Sequence, residues 1–476
     1  MYINGVDQKL NILFDELTFP FGGNQPVRIG AGGGMRFKGA IDEARIFKEA
    51  LTAQQVSTLP LLNSIQELAA IPARKRSPAQ AAKLRFCFLE TDAPTDIKES
   101  QTDLIKAKLE RKIFAESIPT VMVMKEGPKR DSFLLKRGAY DAPGEKVEAA
   151  TPSFLPPLQA DWPVNRLGLA RWLVDRGNPL TARVQVNRLW QMLFGLGLVK
   201  TVEDFGSQGE WPIQPQLLDW LAVEFMDSGW DVKHMLKTIV ISSTYRQSSR
   251  LTPQLLAKDP ENRLLARGPR LRLSAEVLRD NSLAISGLLV DKVGGPSVKP
   301  YQPAGLWQEL TGGGGYTADK GEGLYRRSLY TYWKRTIAPP SMVTFDSPTR
   351  ETCTVRENRT NTPLQALNLM NDVVYLEASR KLAERMLREG GPNQTARLQL
   401  AYNLVLGRNA KPAELSVLAR VLDDFHQQFA GNRDAAVKFL AQGDSPKDET
   451  FPPQELAAYA SLASLILNLD EAITKE

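Results

Sequence analysis

The sequence predicts a mainly α protein with minor β, in which a truncated antiparallel β region and a helical hairpin precede a long helical domain. Three observations carry this reading. Alternating apolar residues around an Asn4-Gly5 turn are confined to residues 1–60. Helical periodicity bounded by glycine and proline recurs from Asn165 onward. No run of about 18 apolar residues occurs, so no membrane span is expected.

With 476 residues the chain should hold about three domains of ordinary size. Its net charge of +6 comes from 60 basic and 54 acidic residues spread along the chain. Only Arg326, Arg327, Lys334 and Arg335 approach a basic cluster, so a nucleic-acid partner is disfavoured. The cysteines, Cys87 and Cys353, form no CxxC or CxxCH motif, and the histidines are His234 and His426 alone. No metal centre, haem attachment or other cofactor is therefore expected in this chain. Cys353 has no histidine near it in sequence and reads as a buried inert thiol rather than a nucleophile. The start, MYINGVDQKLNILFDEL, lacks the basic-then-apolar plan of a secretory signal.

In chain order, YINGVD, PVRIGA and FKGAIDEARIF read as strands, and Thr52 caps a short helix over LTAQQVSTL. Residues 61–118 predict a helical hairpin. Ser77 and Pro78 open its first helix, and Leu104, Ile105, Leu109, Ile113 and Phe114 share one side of its second. Residues 119–164 read as a strand pair, TVMVMKE with SFLLKRG, and a proline-rich connector. Residues 165–476 form the helical domain, with Trp172, Trp190, Trp220 and Trp230 as packing residues and Ser274 as a helix cap. Two features interrupt it: Gly312–Gly315, which suits a loop or lid, and LYRRSLYTYWKRT, which is β-inclined.

The pattern RFKGAIDEARIFKEALTAQQV resembles the closing segment of a laminin-G-like, concanavalin-type jelly roll. The resemblance implies that Phe37–Phe47 pairs in a sheet, with Asp42 and Glu43 at the turn into the last strand. The strands here cannot bury two facing sheets. Ile29, Phe37, Ile41, Ile46 and Phe47 are thus expected to be partly exposed or packed on a neighbouring domain, and the chain reads as a piece of a longer parent.

Further on, NRLGLARWLVDRGNPLTARVQVNRLWQMLFGLGLV, EDFG, STYRQSS, DPENRLLARGPRLRL, GGPSVKPYQPAGLWQEL and RTNTPLQALNLMND resemble the C-terminal domain of unknown function (DUF1553) of planctomycete-type cytochrome c-domain proteins. That resemblance implies an extracytoplasmic setting, at the periplasm or cell surface. The partners it implies are a haem-bearing cytochrome c domain or a polysaccharide. It supplies no reaction.

The candidate site is the stretch Phe345–Asp372. Thr362 as N-cap, Pro363 at the first turn and Gln365 as capping-box partner predict a helix start, and the helix is expected to run on to Gly390. Arginines there could clamp an anionic group by bidentate hydrogen bonds. Arg350, Arg356, Arg359, Asn361, Asn368 and Asn371, with Arg326, Arg327, Trp333 and Lys334, are the binding candidates. Glu351 and Asp372 are the candidate general acid or base. Charges inside a domain must be paired whether or not they act, so a network pinning loop to helix is favoured over chemistry. The sequence thus supports a structural or binding module connected with polysaccharide, with an enzyme acting on a hydroxyl-rich substrate as the alternative.

Overall fold

The computed structural model describes residues 2–9, 29–32, 35–47, 51–118, 120–125, 127–128, 130–311, 315–334, 336–356 and 359–475. They fall into two compact units, Met1–Val123 and Met124–Glu476. No helix among the described residues is long and apolar enough to cross a membrane.

In the first unit, β1 (Tyr2–Ile3) pairs antiparallel with β2 (Val6–Asp7). Asn4 and Gly5 both have positive φ, as a two-residue hairpin turn requires. A second small hairpin joins β3 (Ala31–Gly32) to β4 (Met35–Arg36). Residues 37–47 form no strand, which corrects the expected pairing of Phe37–Phe47. Without a facing sheet there is no apolar layer to hold such a strand, and Ile29, Phe37, Ile41, Ile46 and Phe47 are all exposed. Helices α1 (Ala53–Thr58), α2 (Ile65–Ala70) and α3 (Pro78–Thr91) follow, capped by Thr52, Ser64 and Ser77 through capping boxes. The hairpin's second helix, α4 (Thr95–Ser117), leaves Leu104, Ile105, Leu109, Ile113 and Phe114 exposed.

The second unit opens with β5 (Ser132–Leu135) paired antiparallel to β6 (Pro143–Val147). The expected partner, residues 120–125, is not a strand; the chain turns back at Arg137 and Gly138, both at positive φ, and takes its partner downstream. Then come α5 (Arg166–Leu173), α6 (Thr181–Phe194), α7 (Pro215–Asp227), α8 (Val232–Val240) and α9 (Pro253–Lys258). Val186, Trp190, Leu221, Phe225, Met235 and Ile239 make one core among α6, α7 and α8. Trp172 and Trp190 are buried as expected, whereas Trp220 faces outward on α7.

Strand β7 (Leu271–Arg272) leads to α10 (Ala275–Ser286) and α11 (Leu306–Thr311). Ser274 occupies the N-cap position of α10, but its side chain makes no capping bond. Part of the glycine run, residues 312–314, lies outside the described residues, as do Arg335 and Glu357. The β-inclined LYRRSLYTYWKRT is not a strand. It forms 3-10 turns at Gly321–Tyr325 and Ser328–Tyr330 with isolated bridges to Val290 and Val298. Buried Arg279 imposes this path by donating to the carbonyls of Leu324 at 2.6 Å and Arg326 at 2.9 Å, so tertiary bonds override local propensity.

The chain continues through α12 (Pro340–Thr344), α13 (Pro363–Asn371) and α14 (Val373–Glu389). One helix was expected from Pro363 to Gly390; the chain makes two. Asp372 stands in extended backbone between them and accepts from the Val374 amide at 3.0 Å as N-cap of α14. Consequently Leu364, Leu367 and Met370 point outward, and Leu369 enters the core. The remaining elements are α15 (Gln394–Leu406), α16 (Pro412–Ala430), α17 (Arg433–Leu440), α18 (Pro453–Leu467), α19 (Asp470–Ile473) and β8 (Thr474–Lys475), which pairs antiparallel with β7. Helix α18 is the hub. Its Ala457, Ala458, Ala460 and Ala463 let Leu382 and Met386 of α14 and Leu418 and Leu422 of α16 approach closely.

A charged knot crosses this bundle. Arg380 of α14 is 2 % exposed and lies within 3.1 Å of Glu384 and 3.6 Å of Glu377. It also donates to the Ser445 carbonyl at 2.8 Å and the Pro446 carbonyl at 3.3 Å. Glu377 in turn accepts from the Tyr325 hydroxyl at 2.9 Å and the Ser445 amide at 2.6 Å. Gly443 is needed beside it: its φ is +88°, and a Cβ there would lie 2.2 Å from the Glu377 carboxyl carbon.

Candidate functional site

The expected junction between the polar stretch and the head of α13 exists, but different residues build it. Asp346, in left-handed backbone at φ 65°, is its centre. Its carboxylate accepts from the Arg272 guanidinium at 2.5 Å, the Thr360 amide at 2.8 Å and the Thr360 hydroxyl at 2.9 Å. Arg272 closes the circuit by donating to the Thr360 carbonyl at 2.8 Å. Gln365 accepts from the Thr362 amide at 3.2 Å and donates to the Thr344 carbonyl at 3.0 Å, which fixes the start of α13.

The sequence-derived candidates are dispersed around this junction. Arg326 is buried, donates to the carbonyls of Lys292 and Pro296 and stacks 3.8 Å over Tyr330. Arg327 pairs with Asp291 at 2.9 Å, and Lys334 lies over the Trp307 ring. Trp333 donates to the Thr349 carbonyl and carries Arg350 4.1 Å above its ring. Arg350 is 3.8 Å from Glu276 rather than at the head of α13. Glu351 is exposed, and so is Cys353, contrary to the expected buried thiol. Among the described residues no group of three or more His, Cys, Asp and Glu side chains could hold a metal ion.

Two separate cavities collect the rest. Asn368, Asn371 and Asp372 line a pocket of about 300 Å³ with Tyr301, Ser341, Leu364 and Leu367. Burial raises the pKa of Asp372, against the opposing pull of the Val374 amide and the Arg279 charge. Arg356, Arg359 and Asn361 instead face a cleft of about 1180 Å³. Its other walls are α6 (Arg188, Gln191, Met192), residues 260–262 and residues 267–276.

Arginine dominates this cleft: Arg188, Arg267, Arg270, Arg272, Arg356 and Arg359 line it against the acids Glu261 and Glu276. Both acids face cations outside this set, Glu261 facing Lys200 at 2.7 Å and Glu276 facing Arg350 at 3.8 Å. Arg270 is paired with Asp470, and Arg272 with Asp346. Arg267 donates to backbone carbonyls, those of Asp259 and Pro260, and Arg359 donates to that of Arg272. Carbonyls orient the Arg267 guanidinium without neutralising it. Arg188 and Arg356 have no carboxylate partner among the described residues. The cleft therefore carries surplus positive charge, and its forks can take planar anions bidentately.

Beyond Gly268 and Pro269 the cleft adjoins a cavity of about 530 Å³ containing Lys475 and Arg246. The Lys475 ammonium lies 3.7 Å over the Tyr245 ring. Burial, and then the Arg359 charge, lowers its pKa to about 8. From about pH 8 up to the unfolded value of 10.5 the unfolded chain binds the extra proton, so stability should rise with pH across that window. Thermal melts of the unaltered chain should show this rise, and Lys475→Met should flatten it; parallel curves for the two would refute the assignment.

Sequence reasoning missed Arg188, Arg267, Arg270 and Arg272. The last three stand in the basic run ARGPRLRL, a visible signal without an assigned site. Arg188 on an amphipathic helix looks like any solvated side chain.

The geometry defines a class: a helical domain bearing a cationic cleft, preceded in the chain by two small β hairpins and a set of helices. The chain belongs to the family described as protein of unknown function (DUF1553), whose profile matches residues 165–422. Residues 1–57 are similar to the concanavalin A-like lectin/glucanases superfamily. No curated protein and no solved structure matches the chain.

Proposed function

We propose that this chain is a binding module that takes an anionic, hydroxyl-rich polymer, a charged polysaccharide, along the arginine-lined cleft. The observation that carries the reading is the charge imbalance there: Arg188, Arg267 and Arg356 lack carboxylate partners among the described residues, while both acids of the cleft already face cations outside this set. The lectin-like similarity of residues 1–57 supports a saccharide as the carrier of that charge. Dextran sulfate at low salt should bind, with affinity falling steeply as salt rises, and neutral dextran of equal length should not. Arg188→Ala with Arg356→Ala should weaken binding by about tenfold or more, since a charge-assisted hydrogen bond contributes about 1.5–3 kcal/mol. Equal retention of neutral and sulfated dextran would sink the proposal.

The setting we propose is extracytoplasmic, beside a haem-bearing cytochrome c domain of a longer parent. Its support is the resemblance of the motifs quoted above; copurification of haem with the intact parent tests it.

A second reading, an enzyme acting on a carbohydrate or other hydroxyl-rich substrate, is favoured by one observation. Burial raises the pKa of the Asp372 carboxyl, which lines a pocket together with Asn368 and Asn371. Release of reducing ends by the unaltered chain but not by Asp372→Asn would support it.

A further inference from the structure

Trp211 is 81 % exposed in the segment joining α6 to α7. Its surroundings are ordered by specific bonds. The Thr201 hydroxyl accepts from the Glu210 amide at 2.9 Å and donates to the Asp204 carbonyl at 2.8 Å, and Glu210 pairs with Arg263 at 2.7 Å. A large aromatic surface is thus held in water next to a fixed backbone, where burial would favour it.

Two residues further on, Ile213 and Gln214 line a small cavity of about 20 Å³ with Asn262 and Arg263. That cavity shares Phe194, Leu196, Glu261 and Asn262 with the arginine cleft, and Trp211 is tied to it through its sequence neighbours Glu210, which pairs with Arg263, and Ile213, which lines it. A second observation at the same place is independent of exposure. Asn262 Oδ1 and Arg263 Nη2 are buried polar atoms with no hydrogen-bond partner. An orphan acceptor on one lining residue and an orphan donor on the next are each costly unless something completes them. A hydroxyl group can donate to an amide oxygen and accept from a guanidinium, and a volume of this size admits one such group.

We infer that Trp211, Asn262 and Arg263 form a sugar-ring subsite at the rim of the cleft, in which a pyranose stacks on the indole and one hydroxyl enters the small cavity. The inference rests on the polyanion reading of the cleft and narrows it: the ligand is recognised by its rings as well as its charge. An aromatic face stacks on C–H-rich ring faces, while inorganic polyanions offer it nothing. Nucleobases also stack on tryptophan, but the lectin-like similarity at residues 1–57 favours saccharide.

The test compares two polyanions on the full chain by titration calorimetry, dextran sulfate with rings and inorganic polyphosphate without them. Trp211→Ala should weaken dextran sulfate about tenfold, the size of one stacking contact, and leave polyphosphate unchanged. Trp211→Phe should restore most of the loss. Equal loss for both polymers would make Trp211 a structural residue and overturn the subsite. No loss for either, with Arg188→Ala/Arg356→Ala weakening both, would overturn the subsite while leaving the cationic cleft standing. Failure of both polymers to bind the unaltered chain would remove the cleft reading and the subsite with it. Tighter binding of a single-stranded oligonucleotide than of dextran sulfate at matched charge would assign the indole to bases and overturn the sugar.

Discussion

Arg380→Ala is expected to lower the unfolding free energy by about 3–5 kcal/mol, the cost of stripping one partner from a buried ion group. The reason lies in what it leaves behind. Glu377 and Glu384 are each 1 % exposed, and Arg380 is the cation that touches both. Lys381 reaches Glu384 and relieves part of the deficit there, but no lysine or arginine besides Arg380 pairs with Glu377 among the described residues. The same substitution frees the carbonyls of Ser445 and Pro446, so the segment before α18 should exchange its amide hydrogens faster. Urea unfolding followed by circular dichroism measures the first effect, and hydrogen exchange the second. A loss below 1 kcal/mol would mean that water reaches the knot in solution.

Asp346→Ala should cost about 3 kcal/mol or more, because Arg272 would remain as an unpaired cation in the interior. Two causes combine and can be separated. Asp346 also holds φ at 65°, a conformation asparagine and glycine accept more readily than alanine. Asp346→Gly removes the carboxylate and keeps the backbone free to adopt that conformation. If electrostatics dominates, the glycine variant should be nearly as unstable as the alanine one; if backbone strain dominates, it should recover most of the loss. Since the Arg272 carbonyl orients Arg359 and the Arg272 guanidinium holds Thr360, both variants should also blunt polyanion binding. Unchanged stability in both variants would show that Arg272 needs no carboxylate partner there.

Caps and stops were legible because they act within a few residues: Ser77, Pro78, Pro215 and Gly195 all stand where local geometry demands them. The mainly helical fold class followed from periodicity for the same reason. What failed depended on distant partners. The LYRRSLYTYWKRT segment reads as a strand by propensity, yet Arg279, far upstream, dictates turns. The interruption at Asp372 was hidden inside a continuous apolar period, since an aspartate on a helix face and an aspartate capping a new helix look alike in sequence. Arg350, Arg356 and Arg359 were grouped by adjacency, but only Arg356 and Arg359 share a cavity, and its other arginines come from distant segments, Arg272 lying 87 residues before Arg359.

The pairing of β7 with β8 has one more consequence. β8 follows α19 directly, and α19 follows α18, the hub of the tightly packed alanine-rich bundle. Through this short ribbon the cleft floor that carries Arg272 is moored to the least deformable part of the molecule. Any accommodation of a bulkier ligand in the proposed cleft would then fall to the polar stretch holding Arg356, which belongs to no helix or strand. For the polymer proposed above, the fixed reference in the cleft is therefore the ribbon that carries Arg272.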